Sequence, residues 1–271
     1  MPALIIIAVI ILTLPVYLVF PGHAKKKKKE AFYGRNIAHR GLYEKDQSVP
    51  ENSLAAFSRA VERGYGVELD VQLSADGQVV VFHDDDLRRV CGVERAVKEL
   101  DLSELESLKL FGTDEKIPLF TDVLEVLDCK VPVIVELKTE ARNKELCQKT
   151  LDILHGYKGE YCIESFNPFI VSWFRFHAAD IMRGQLTQSP RDFREGGIGA
   201  PTRDILGSVL FNFLARPHFI AHRIGKKTPL VQLSELLGAV KVAWTAHDKT
   251  AERDFDTVIF EHYLPDIKYK S

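Results

Sequence analysis

The chain is poor in cysteine, and the four it has do not pair by spacing. Cys91, Cys129, Cys147 and Cys162 form no CxxC unit, so neither a zinc ribbon nor a disulfide framework is expected in 271 residues. A reducing compartment suits such thiols. An excess of charge is also missing. The formal net charge of −2 gives no global reason to bind a polyanion, and no zinc-finger spacing or RNA-binding aromatic signature occurs, so nucleic acid drops out as a partner. What is present is 46% hydrophobic residues, enough for one large core of the size that barrels of alternating strands and helices reach as a single domain.

Charge is absent altogether from residues 3 to 20, ALIIIAVIILTLPVYLVF. At roughly 1.5 Å rise per residue this run is about 27 Å long as a helix, which predicts a transmembrane anchor over residues 1–22. A cleaved signal peptide fits less well, since no Lys or Arg precedes the run and PGHA is a poor cleavage site. The run Lys25 to Lys29 follows within a basic juxtamembrane linker, 23–34. Basic flanks stay on the cytoplasmic side, so the expected protein is single-pass, with its main domain, 35–271, in the cytoplasm.

Eight short apolar segments recur along that domain: 36–40, 67–73, 131–138, 161–166, 182–186, 218–222, 241–246 and 257–261. Helical stretches separate most of them, at 53–63, 119–127, 142–155, 168–177 and 206–214. Eight alternations predict parallel strands closed into a barrel. A ninth strand, 78–84, follows 67–73 after only SADG, too short a link for a parallel crossover, and so predicts a hairpin turning at Asp76 and Gly77. Residues 85–118 then become an insertion, 188–204 read as a loop, and too little chain follows 261 for an eighth helix.

The second strand, VELDVQL, raises the functional question. Side chains alternate along a strand, so Glu68 and Asp70 share one face while Val67, Leu69 and Val71 share the other. The third strand repeats the pattern, with Glu136 and Lys138 opposite Val133, Val135 and Leu137. A half-exposed strand with its acids in water would explain either one alone. Both at the C-terminal rim of one barrel would instead gather three carboxylates, which repel one another unless a cation joins them. Glu68, Asp70 and Glu136 therefore propose a Ca²⁺ or Mg²⁺ site, with Zn²⁺ or Mn²⁺ left open by His39 and His83. Two histidines suit general acid-base work, and Arg40 suits bidentate binding of phosphate. The set points to phosphodiester chemistry.

The order His39-Arg40-Gly41, Pro50-Glu51-Asn52, Glu68 and Asp70, His83-Asp84, then Glu136-Leu137-Lys138 resembles the glycerophosphodiester phosphodiesterase family, with Ser165-Phe166-Asn167 and Trp244-Thr245 following. The resemblance runs from about residue 36 to the end. It implies a distorted TIM (β/α)8 barrel with a small insertion after strand 2. It also implies metal-dependent hydrolysis of glycerophosphodiesters to sn-glycerol 3-phosphate and an alcohol. On that pattern Glu68, Asp70 and Glu136 hold the metal, with Glu51 as a further ligand or close neighbour. Arg40 and Lys138 hold phosphate, Trp244 walls the pocket, and His39 and His83 share the proton transfers, with His39 favoured as base and His83 as acid but the order left open by the sequence. The family often ends its last strand with Asp, where this chain has Glu261. Rival readings are phospholipase C-like or lysophospholipase D-like action on a membrane lipid, so that a lysophospholipid becomes the substrate, and a non-catalytic phospholipid-binding scaffold.

Overall fold

A computed structural model describes residues 2 to 270. Nine strands form one sheet: β1 Arg35–Ala38, β2 Gly66–Leu73, β3 Val79–Val81, β4 Val133–Leu137, β5 Tyr161–Ser165, β6 Met182–Thr187, β7 Phe219–Arg223, β8 Val240–Ala246 and β9 Thr257–Phe260. Eight of them are parallel neighbours in the order β1-β2-β4-β5-β6-β7-β8-β9, and β9 pairs back onto β1, closing a (β/α)8-type barrel. β3 lies outside that circle as the antiparallel arm of a hairpin, Val71 opposite Val81. Its turn passes through Gly77 at φ 79°, a left-handed conformation that glycine adopts without steric cost.

The two faces of the barrel strands have different jobs. Outward side chains such as Val67, Leu69, Val71, Val133, Val135 and Leu137 are buried against helices Leu54–Arg63, Phe120–Leu127 and Asn143–Gly156. Inward side chains Ile37, Ile134, Cys162, Met182, Phe219, Val242 and Ile259 cluster inside the barrel's N-terminal end. Two residues further along four of those strands the inward face turns polar, at His39, Glu136, Glu164 and Glu261. Period-2 alternation thus places an apolar plug below a layer of ionisable groups.

Residues 85–118 form the expected insertion, with short helices Arg88–Cys91 and Leu102–Leu105. Val80, Phe82, Leu87, Val90, Val97, Leu105 and Ile117 give it a small core of its own. After β9 no helix occurs among the described residues. The chain instead runs back along the barrel, where Asn36 donates its backbone N–H to the Ile267 carbonyl and Tyr269 donates to that of Gly34.

Three expectations change. The segment 188–204 is not a plain loop, because Ser189 caps a helix at Pro190–Glu195 by accepting from the Asp192 N–H. The single helix expected over 206–214 is two short ones, Thr202–Gly207 and Asn212–Ala215, separated where Val209 takes φ 49°. The transmembrane anchor also needs correction. Helix α1, Pro2–Val19, has 18 residues, and among the described residues no helix is long and apolar enough to cross a membrane. The apolar run overstates the free length because the barrel uses its end: Val19 is fully buried against Ile220, Val231 and Ala239. Large apolar side chains further back, such as Leu4, Ile7, Val9 and Leu14, are exposed. Within 23–34, Lys26–Glu30 is helical and Lys28 reaches Glu160 at 3.6 Å.

Candidate active site

The ionisable layer opens into a cavity of about 330 Å³ at the C-terminal ends of the strands, lined among others by His39, Arg40, Glu68, His83, Glu136 and Glu261. All eight residues of β2 are buried, which disposes of the half-exposed reading; Glu68 is 2% exposed, Asp70 1% and Glu136 8%. One oxygen from each of these three carboxylates lies within 4.8 Å of the others. Glu164, one strand further round, adds a fourth buried carboxyl whose Oε2 has no hydrogen-bond partner among the described residues.

So much buried negative charge perturbs its members in opposite directions. Burial first, then repulsion from Asp70, Glu136 and Glu164, pushes Glu68 well above the usual carboxylate range, and burial does the same to Glu164. Burial would also raise Asp70, but Lys138, His83 and Arg40, with the Asn52 amide, outweigh it and hold Asp70 ionised. Asn52 Nδ2 donates to Asp70 at 2.9 Å from a backbone at φ 55°, a conformation asparagine tolerates better than most residues. Lys138 Nζ sits 3.0 Å from Glu136 and 3.4 Å from Asp70.

Each histidine has its own carboxylate. His39 Nδ1 lies 2.7 Å from Glu261 Oε2, and His83 Nδ1 lies 2.7 Å from Asp84 Oδ1. An ionised carboxylate only accepts, so the proton in each bond belongs to the imidazole, and in the neutral ring Nε2 carries the lone pair. His39 Nε2 is 3.9 Å from Glu68. Burial, then the Arg40 charge, lowers the His39 pKa despite the pull of Glu261. Burial opposes the charge on Glu261, but its hydrogen bond from His39 and one from Tyr43 bring it down to about 2.

Arg40 reaches Glu51 at 2.6 Å and Asp70 at 3.6 Å, while its backbone N–H donates to Glu68. Glu51 lies outside the three-carboxylate group, held by Arg40 and by both terminal nitrogens of Arg89. Arg89 also binds Asp84, so the insertion braces the partner of His83. After His39-Arg40, Gly41 turns the chain at φ 80°, where a Cβ would stand 2.9 Å from Ala56. Trp244 lines the cavity and donates Nε1–H to the Ala221 carbonyl. Every site residue singled out in the sequence therefore lies in or beside one cavity. Glu164, Arg89 and the orienting contact of Glu261 are additions; of these only Glu164 carried a signal, the inward parity of YCIES.

A divalent cation suits this arrangement. The donors are hard oxygens, they converge, and among the described residues Arg40 and Lys138 leave four clustered acids short of compensation.

Comparison with known proteins gives the same picture. Over 157 residues the chain is 34% identical to lysophospholipase D GDPD1 of Rattus norvegicus, an alignment that spans 53% of this chain and 48% of that protein. It is 42% identical over 111 residues to a glycerophosphodiester phosphodiesterase of Caldanaerobacter subterraneus, spanning 38% and 44%. The chain thus spans about half the length of the curated relatives it matches. The fold is shared with an Oleispira antarctica phosphodiesterase solved with the product sn-glycerol-3-phosphate, at TM-score 0.69 and 24% identity, over 86% of this chain and 94% of that one. The model of the glycerophosphoryl diester phosphodiesterase family matches residues 39–261, from His39 to the glutamate that holds it, and the chain belongs to that family.

Proposed function

We propose that this protein hydrolyses glycerophosphodiesters to sn-glycerol 3-phosphate and an alcohol. The observation that carries the reading is the pair of histidines, each tied through Nδ1 to a separate carboxylate and both lining the cavity that holds Glu68 and Glu136. A phospholipid-binding scaffold has no use for two oriented proton-transfer groups.

Glu68, Asp70 and Glu136 hold a divalent cation, Ca²⁺ or Mg²⁺ by donor type. When bound it supplies charge neutralisation to the phosphate and a template for the substrate hydroxyl. Arg40 and Lys138 place further positive charge beside the phosphate, and Glu51 with Arg89 fixes the direction of Arg40. His39 accepts a proton at Nε2 from the nucleophile, either water, which gives sn-glycerol 3-phosphate directly, or the glycerol hydroxyl next to the phosphate, which gives a cyclic phosphate that water then opens. Glu261 keeps the Nδ1–H tautomer in place and stabilises the imidazolium that results. His83 gives its Nε2 proton to the leaving alcohol, while Asp84 keeps hold of Nδ1–H. Trp244 limits the space beside the glycerol moiety.

The test is release of sn-glycerol 3-phosphate from a panel of glycerophosphodiesters and lysophospholipids, with Ca²⁺, Mg²⁺, Mn²⁺ or Zn²⁺ added in turn. We expect metal-dependent release that His39→Ala and His83→Ala each lower by about 10²-fold or more with folding intact. Near-normal turnover in both variants would overturn the acid-base roles. Unchanged turnover after exhaustive chelation would overturn the metal site, and silence from a folded protein across the panel would leave the scaffold reading in its place.

A further inference from the structure

We infer that an apolar groove beside the catalytic cavity holds the single acyl chain of a lysophospholipid substrate, an inference that rests on the phosphodiesterase reading above. The groove, of about 610 Å³, is formed by the chain that follows β5 and β6. Its walls include Phe166, Phe169, Phe193, Ile198, Leu206 and Phe211, and none of its lining residues is charged. The neighbouring cavity is the reverse, crowded with carboxylates, histidines and Arg40. Phe166 lines both: its ring meets Trp244 edge-on at 5.6 Å on the cavity side and Phe193 at 6.1 Å on the groove side.

An amphiphile with one tail matches this division. Its phosphate reaches the ionic cavity while its chain lies past Phe166, where volumes of roughly 300–1,000 Å³ suit sites that enclose most of a ligand. A deacylated glycerophosphodiester would leave the groove in water. Phe169 is 60% exposed and Ile198 38%, an unfavourable arrangement for apolar side chains that no packing inside the domain relieves. The apolar surface continues outward as well. Phe169 packs on Phe211 at 5.4 Å, Phe211 on Phe213 at 6.2 Å, and Phe213 on Tyr17 of the apolar helix α1 at 6.1 Å. A hydrocarbon-compatible track thus runs from α1 to the catalytic cavity.

The experiment compares kcat/KM for lysophosphatidylcholines of increasing chain length, kept below aggregation, with that for glycerophosphocholine, using the full chain. The ratio should climb by up to roughly fourfold per methylene buried, until the groove is filled. Ile198→Asp and Phe169→Ser, both at exposed positions, should each lower the long-chain ratio at least tenfold. A ratio near one in the wild type, or one that neither variant changes, would overturn the assignment. Equal turnover of a two-chain phosphatidylcholine would overturn the single-chain choice. Binding of decylphosphocholine, which has the tail and phosphocholine but no glycerol, read by tryptophan fluorescence in a protein stripped of metal by chelation, separates this inference from the reaction itself. Saturable binding that Ile198→Asp abolishes supports the groove even if no substrate turns over, and absence of binding overturns it even if glycerophosphodiesters do.

Discussion

A carboxylate that accepts from one imidazole nitrogen decides which nitrogen is left to take a proton, and Glu261 does this for His39 at 2.7 Å. Gln in its place can present its amide nitrogen instead, which would favour the opposite tautomer and leave Nε2 protonated. Glu261→Gln should therefore lower kcat by about 10²-fold. Because the Glu261 charge raises the His39 pKa, removing it should also move the acid limb of the kcat/KM profile to lower pH. A purely structural role would lower activity without moving that limb, so the profile checks the assignment. The sequence carried His39 plainly but left Glu261 in doubt, because the family pattern has the shorter Asp there; in this chain the longer side chain makes the contact. Arg89 was not legible at all. It comes from an insertion without periodicity, and its link to Glu51 and Asp84 exists only once that insertion folds over the rim.

Strands were easier to read than the elements between them, because period-2 alternation is local whereas the lengths of short helices depend on what they pack against. VELDVQL and VPVIVELK gave their faces correctly, and SADG gave the hairpin. The helix at Pro190–Glu195 did carry a signal, since Ser189 and Asp192 hydrogen-bond each other at 2.6 Å in the manner of a capping pair, but the surrounding Gly and Pro pointed to a loop. β6 shows how tightly neighbouring strands fix one another. Gly184 has the Phe219 ring where its Cβ would be, 2.0 Å from the nearest ring carbon. Gly184→Ala must displace that ring within the apolar plug and should destabilise the protein by about 1–3 kcal/mol. Thermal denaturation of Gly184→Ala alone and together with Phe219→Leu checks this. If the clash is the cause, the double variant recovers part of the loss; if losses simply add, the ring is not the obstacle.

At the scale of the whole molecule the closed barrel and its insertion after β2 were legible, since both follow from counting segments and links. The end of α1 was not, because nothing local to ALIIIAVIILTLPVYLVF shows that Val19 belongs to the core beside Ile220. The same β7 strand carries a pH dependence of global stability. His222 is buried, with Nδ1 donating to the Arg223 carbonyl at 2.5 Å and Nε2 without a partner among the described residues. Burial first, opposed by that carbonyl and by Asp192 and assisted by Lys227, lowers its pKa to about 4. Unfolding returns it to about 6.5, so between those values the unfolded chain binds more protons and stability rises with pH. The contribution is complete above about pH 6.5 and is lost as the pH falls towards 4, amounting to about 2 kcal/mol between pH 7 and pH 5. Other groups titrate in parallel, including the raised carboxyls of Glu68 and Glu164, whose effect has the opposite sign. The comparison that isolates His222 is therefore wild type against His222→Gln, both unfolded in urea across this range. Whatever the variant's stability at pH 7, it should gain on the wild type by about 2 kcal/mol on going to pH 5. Parallel curves for the two proteins would show that His222 is not held neutral in the fold.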